Sequence, residues 1–119
     1  MDDEASILML VAKTFGHQGY DVKETLDGQA AVNEFRSALE AGKPFDVVIL
    51  DLTVPEGMGG FDAFKQMQAL DPGVKAIVSS GYSDDPVVVN YRQHGIAAVA
   101  PKPYRVAEMM RVVQGVLTA

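Results

Sequence analysis

The feature that most constrains this chain is the order in which helical and extended apolar patterns follow one another. Over Ala5–His17, residues Ile7, Leu8, Val11 and Phe15 recur at helical spacing until Gly16 and Gly19 interrupt them. Residues 20–26, YDVKETL, then alternate as a short, half-exposed strand would. Asp27 is placed to cap a helix that carries Ala31, Val32, Phe35, Ala38 and Leu39 on one side and ends at Gly42. The run PFDVVIL, residues 44–50, is apolar without alternation, the pattern of a parallel strand covered on both faces. A helix over Phe61–Leu70, the strand VKAIVSS (74–80) and a helix opened by Asp85 and Pro86 that runs to His94 and Gly95 come next. The strand IAAVAPK (96–102) and a helix over Val106–Leu117 complete the series. Methionines and phenylalanines on these helices read as core.

Strands that alternate with helices at this interval predict right-handed βαβ crossovers and a parallel sheet between two helical layers. The 119 residues suit one α/β domain spanning 1–119, and at that size folding hides roughly two thirds of the unfolded surface. Composition excludes more than it identifies. Sixteen acidic residues against ten basic ones give a net charge of -6, which argues against a general nucleic-acid surface or contact with an anionic membrane. The absence of cysteine removes disulfides, thiolate metal sites and a cysteine nucleophile. No apolar run approaches the roughly 18 residues of a membrane span and no charged-then-apolar leader opens the sequence, so a cytoplasmic protein is expected.

In an open parallel sheet, ligands gather beyond the carboxyl ends of the strands. Asp51 ends VVIL, Ser79 and Ser80 end AIV, Lys102 follows AAVAP, and DDE (residues 2–4) precedes the first helix. Taken singly, these have ordinary readings: an aspartate can cap the next helix, DDE can complement a helix dipole, and serines and lysines are common on surfaces. Together they make a coherent pocket. Carboxylates a few ångström apart repel one another unless a proton or a cation intervenes, and an all-oxygen set favours a hard ion such as Mg2+ or Mn2+. With that charge neutralised, an aspartate can attack phosphorus, and a lysine and a hydroxyl are suited to hold the phosphoryl oxygens. Gly57, Gly59 and Gly60 suggest that backbone comes close to a ligand after Asp51. His17 and His94, near helix ends, read as structural.

The motifs DDE, VVILDLTVPEGMGG, IVSSGYS and VAPKPY resemble the receiver domain of two-component response regulators over essentially the whole chain. DLTVPEGMGG with SSGYSDDP and KPY most resembles receivers of hybrid sensor histidine kinases. The resemblance implies a flavodoxin-like (CheY-like) doubly wound parallel sheet, three-layer αβα, with strand order 2-1-3-4-5. It implies Asp51 as the phosphoacceptor, Asp2, Asp3, Asp51 and the Thr53 backbone carbonyl as the metal shell, and Ser80 with Gly81 as the switch hydroxyl and its small neighbour. Lys102 would bind phosphate, and its bond to Pro103 would be cis. The implied function is Mg2+-dependent transfer of a phosphoryl group from a phosphohistidine to Asp51, in a signalling domain rather than a metabolic enzyme. The implied partners are a histidine kinase or histidine phosphotransfer domain, with an output domain or a second copy of the chain.

Departures from the family pattern matter too. Val99 stands three residues before Lys102 where an aromatic ring is frequent, so Tyr82 and Tyr104 become the candidates for coupling to output. Glu56 adds a charge where glycine is frequent, and Pro101 removes a strand donor just before the lysine. Only Met1 precedes Asp2 where the resemblance implies an interior strand, so the first strand is expected to be missing or truncated. Such a loss leaves ladder groups unpaired at about 1 kcal/mol or more each when buried, so Met1 is expected to be an interior residue of a longer parent, or else the loss is offset by strand exchange or dimerisation or leaves the chain unstable. Two alternative functions are a phosphorylation-independent interaction module and, less in keeping with Thr53 where a second acid would stand, an aspartate-nucleophile phosphatase.

Overall fold

A computed structural model of the protein describes residues 1–54 and 57–118; Glu56, with Pro55 and Ala119, lies outside them. The helices are α1 (Ala5–His17), α2 (Gly28–Glu40), α3 (Gly60–Leu70), α4 (Pro86–Val89), α5 (Tyr91–His94) and α6 (Val106–Thr118). The strands are β1 (Val48–Asp51), β2 (Ala76–Ser80) and β3 (Ala98–Pro101). They form one parallel sheet in the order β1-β2-β3. The register sets Asp51 beside Ser79 and Ser79 beside Ala100, so the strands end nearly level.

Alternate strand residues feed two cores. Leu50 and Val78 pack with Phe35, Phe64, Met67 and Ile96 beneath α2 and α3, while Ile77 and Ala100 pack with Met109, Val113 and Phe15 beneath α6 and α1. β2, between two partners, has all five residues buried, each large aliphatic contributing roughly 1.5–3 kcal/mol. Local chemistry marks the helix ends. The Asp27 carboxylate accepts the Ala30 amide at 2.9 Å, and Asp85 accepts that of Val87 at 2.8 Å. The single helix expected from Asp85 to His94 is two four-residue turns meeting at Asn90. Three consecutive β-branched valines weaken the first turn, and the Asn90 amide donates to the Pro86 carbonyl at 3.1 Å, which competes with helical bonding.

The strand expected over residues 20–26 does not form; the segment belongs to no strand of the sheet. A cavity of about 150 Å³ separates it from β1. Among the described residues, backbone hydrogen bonds of Met1 and Asp2 bridge the gap. The Met1 amine donates to the Ile49 carbonyl at 2.6 Å, Asp51 N–H donates to the Met1 carbonyl at 3.1 Å, and Asp2 N–H donates to the Thr25 carbonyl at 3.2 Å. A strand is completed by its neighbour's backbone groups, and two residues supply too few of them. Of the order 2-1-3-4-5, with its first strand expected to be missing or truncated, the sheet among the described residues keeps three strands, and the correction falls on residues 20–26. The helix over the gap is correspondingly shallow. Phe15, edged against Tyr20 at 5.3 Å between ring centroids, is its one fully buried residue, and Met9 and Leu10 face solvent.

Candidate functional site

β1 is apolar until its last residue, so the strand drives Asp51 into the protein while its end stays at the sheet rim. Asp51 is 1% exposed. Its Oδ1 accepts the Thr53 amide at 3.0 Å, which folds the chain back over the strand end. Asp2 is also buried, and besides facing the site it accepts the Glu4 amide at 3.0 Å; Glu4 is the residue at the start of α1, and among the described residues no side chain caps that helix. Asp3 is exposed, and carboxylate oxygens of Asp2, Asp3 and Asp51 all lie within 4.8 Å of one another. Lys102 reaches in from the end of β3. Its Nζ lies 2.9 Å from Asp51 Oδ2 and 3.3 Å from Asp2 Oδ2.

Three carboxylates facing one ammonium leave an excess of two negative charges. Burial pushes the Asp51 carboxyl above its ordinary range, while hydrogen bonds from Lys102 and the Thr53 amide pull the other way. For Lys102, burial favours the neutral amine, yet Asp51 and Asp2 more than offset it and hold the ammonium above its ordinary range. Without Lys102 the two buried acids would face each other with no cation between them, whereas without Asp51 the ammonium keeps Asp2 at 3.3 Å. The donor set suits a hard divalent cation in its chemistry: oxygen atoms only, excess negative charge, and three carboxylates within 4.8 Å of one another.

Ser80 is buried at the end of β2, and its carbonyl accepts the Lys102 amide at 2.9 Å, which sets the lysine in register with Asp51. Its hydroxyl accepts the Tyr82 amide at 3.0 Å and makes no bond to Asp51 or Lys102. Gly81 is exposed with open space where a Cβ would lie, so the approach to Ser80 is unobstructed. The Lys102–Pro103 bond is cis, as the resemblance implies. Tyr82 projects into solvent, Val99 is half-buried in β3, and Tyr104 is half-buried beside the acids, its phenol pushed upward first by burial and then by Asp2.

The glycines after Asp51 need correcting. A Cβ on Gly60 would collide with the Asp51 carbonyl, so that glycine lets α3 pack hard against the end of β1. Gly57 has φ +77°, a turn conformation that favours glycine. Packing against the strand end accounts for Gly60 and turn geometry for Gly57. Gly28, which drew no attention in the sequence, donates to the Met58 carbonyl at 2.9 Å, and a Cβ there would lie 2.6 Å from that oxygen. A glycine one residue after a helix cap was the available signal. Met1 was also missed as a contributor: its backbone ties the acidic pair to β1, and burial lowers its amine to a pKa of about 6. His94 packs edge-on to Phe61 at 4.9 Å, in keeping with a structural role.

The family model described as the response regulator receiver domain matches residues 1–114. The chain is 30% identical over 117 residues to the chemotaxis protein CheY of Thermotoga maritima, covering 98% of this chain and 92% of that protein. It is 25% identical to sporulation initiation phosphotransferase F of Bacillus subtilis, covering 96% and 87%. Sensor kinase CckA of Brucella abortus is 26% identical over 98% of this chain, which spans 12% of that larger protein. Among solved structures, a response regulator receiver domain protein from Clostridium thermocellum superposes with a TM-score of 0.83 at 20% identity, covering 98% of this chain and 90% of that one. A CheX-CheY-BeF3-Mg2+ complex from Borrelia burgdorferi gives a TM-score of 0.83 at 23% identity, covering 97% and 84%. At those identities the superpositions establish the fold alone.

Proposed function

The chain belongs to the response regulator receiver family, a phosphoacceptor module of two-component signalling, and from that premise we propose that Asp51 is the residue phosphorylated. The observation that carries the assignment is the placement of one cation against two acids: Lys102 Nζ sits 2.9 Å from Asp51 and 3.3 Å from Asp2, at the carboxyl end of the sheet. One Asp51 oxygen is held by the Thr53 amide, and the other, on Lys102, is free to turn to an incoming phosphorus. Attack forms a phosphorus–oxygen bond as the phosphorus–nitrogen bond of a phosphohistidine breaks, and Lys102 stays with a phosphoryl oxygen. Asp2, Asp3, Asp51 and the Thr53 carbonyl would hold Mg2+ or Mn2+. The cation supplies charge neutralisation between the carboxylates and the phosphoryl group.

Ser80 is the switch hydroxyl in this reading. To reach the phosphoryl group it gives up the Tyr82 amide, and the loop between β2 and α4 moves with it as a population shift. Exposed Tyr82, together with Val99 and Tyr104, would report the change to the output partner. The domain spans 1–119, assists its own phosphorylation and dephosphorylation, and works in the cytoplasm. It takes its phosphoryl group from a histidine kinase or histidine phosphotransfer domain, and the likeness to a sensor kinase favours a hybrid-kinase setting. No helix among the described residues is long and apolar enough to cross a membrane. Incubation with Mg2+ and a small phosphodonor, or with beryllofluoride, tests the assignment by intact mass or fluorine NMR. Wild type is expected to be modified and Asp51→Asn not; modification that survives the substitution removes Asp51 from the role.

A further inference from the structure

α2 reaches the Asp51 site through a residue that has no side chain. Asp27 caps the helix by accepting the Ala30 amide at 2.9 Å, which fixes Gly28 as the first helical residue. The first amides of a helix have no partner within it, and that of Gly28 is given outward, to the Met58 carbonyl at 2.9 Å in the loop between β1 and α3. Gly28 is buried, and a Cβ on it would lie 2.6 Å from the Met58 carbonyl oxygen, 2.9 Å from that of Gly59 and 2.9 Å from Met58 Cγ. Two of these three neighbours are backbone atoms, so turning a side chain does not make room.

The strand that carries Asp51 holds the same stretch of loop. Gly60 is seated against the Asp51 carbonyl, where a Cβ would collide, and a Cβ on Gly59 would meet the Leu52 carbonyl at 3.7 Å. Met58, Gly59 and Gly60 are thus clamped between α2 and the end of β1, and the residue after Leu52 is Thr53. The Thr53 amide is held by Asp51 Oδ1 at 3.0 Å, while its carbonyl, on an exposed residue, accepts no hydrogen bond among the described residues. A carboxylate can turn about its own side chain to meet an ion. A backbone carbonyl can meet one only if its loop is already in place.

We propose, resting on the reading of Asp51 as phosphoacceptor and Thr53 as metal ligand, that Gly28 is a positioning residue for the divalent cation: through Met58 and Gly59 it seats the loop so that the Thr53 carbonyl can join the acidic cluster. Two properties of the glycine act together, a free amide that holds the Met58 carbonyl and the lack of a methyl that would displace it. An alanine at this position keeps the capped helix and forces the loop off its seat. Because such coupling is reciprocal, the bound cation in turn tightens the Gly28 amide on Met58.

The test uses the full chain, 15N-labelled, as wild type, Gly28→Ala and Phe35→Leu, with Mg2+ titrated and amide exchange followed by NMR. Phe35 is buried in the same helix, two turns farther along, and serves as the control for lost packing. In Gly28→Ala the Mg2+ affinity is expected to fall at least about tenfold, as for other groups that orient a metal ligand. Its Thr53 amide should exchange several-fold faster without metal, and beryllofluoride modification should need correspondingly more Mg2+. Phe35→Leu should lower Tm while its Mg2+ affinity stays within about twofold of wild type. In wild type, saturating Mg2+ should slow exchange at the Gly28 amide by the factor that Gly28→Ala loses in affinity, a measurement that needs no substitution. Equal Mg2+ affinity in wild type and Gly28→Ala overturns the role of Gly28, as does an equal loss in Phe35→Leu or a Gly28 amide whose exchange ignores Mg2+. A wild type that neither binds Mg2+ nor takes beryllofluoride removes the reading of Asp51 itself, and the role of Gly28 with it.

Discussion

The two edges of β1 carry opposite lessons. On one side, Val48 to Asp51 pair residue for residue with Ala76 to Ser79, and the neighbouring strand is wholly buried. On the other, the Met1 backbone supplies two bonds, a cavity follows, and a segment with good strand alternation stays unpaired. Tyr20, Val22 and Thr25 are good strand formers, whereas Ala98–Pro101 includes a proline yet pairs with β2. What separates them is the neighbour. β3 meets a complete edge, and residues 20–26 meet a gap.

The sharpest way to break this contrast is to remove a side chain from each region. Ile77→Ala, in the doubly paired strand, is expected to cost about 3–4 kcal/mol in chemical denaturation, whereas Val22→Ala should cost under about 1 kcal/mol. Equal losses would mean that the segment beside the cavity is as well packed as the sheet. Gly60→Ala tests the close approach of α3 to β1: the methyl meets the Asp51 carbonyl, so a loss of about 1–3 kcal/mol is expected together with slower modification of Asp51. An alanine tolerated without effect would show that the loop and α3 can withdraw from the strand end.

A smaller effect separates the site's electrostatics from its packing. Burial raises the Asp51 carboxyl, so its ionised form weakens the fold at neutral pH, and protonation stabilises the native state as pH falls through the raised value. Asp51→Asn should therefore raise Tm at pH 7, and its advantage should shrink as the pH is lowered into the ordinary carboxylate range and the wild-type acid becomes protonated. An advantage that grew with acid would contradict a raised carboxyl. The least effect is expected on the outer face of α1, where Leu10→Gln should leave stability within about 0.5 kcal/mol. A larger loss would show that α1 is covered in solution by something other than water.

Most of the site was legible because its signals are short and sit at strand ends. Asp51, Ser80 and Lys102 each terminate an apolar run, and register alone then places them at one rim. The reading went astray where a role depends on a distant part of the chain. Gly60 reads like a ligand-facing loop glycine, but the Asp51 carbonyl behind it gives it a packing role. Gly28 is unremarkable until the Met58 carbonyl lies across it. The Tyr82 amide bound to the Ser80 hydroxyl is likewise a contact that only the turn after β2 reveals.

The sequence by itself determined the succession of helices and apolar strands, the two helical layers and the acids, hydroxyl and lysine at the strand ends. Those properties reside in periodicity and residue type, which act over a few residues. Tertiary structure decided which extended segments became strands, that Lys102 bridges Asp51 and Asp2, and that Met1 rather than a full strand lies between β1 and residues 21–25. Each of these depends on groups tens of residues apart meeting within hydrogen-bond reach. A backbone donor finds its acceptor only when the neighbouring segment is present to provide one.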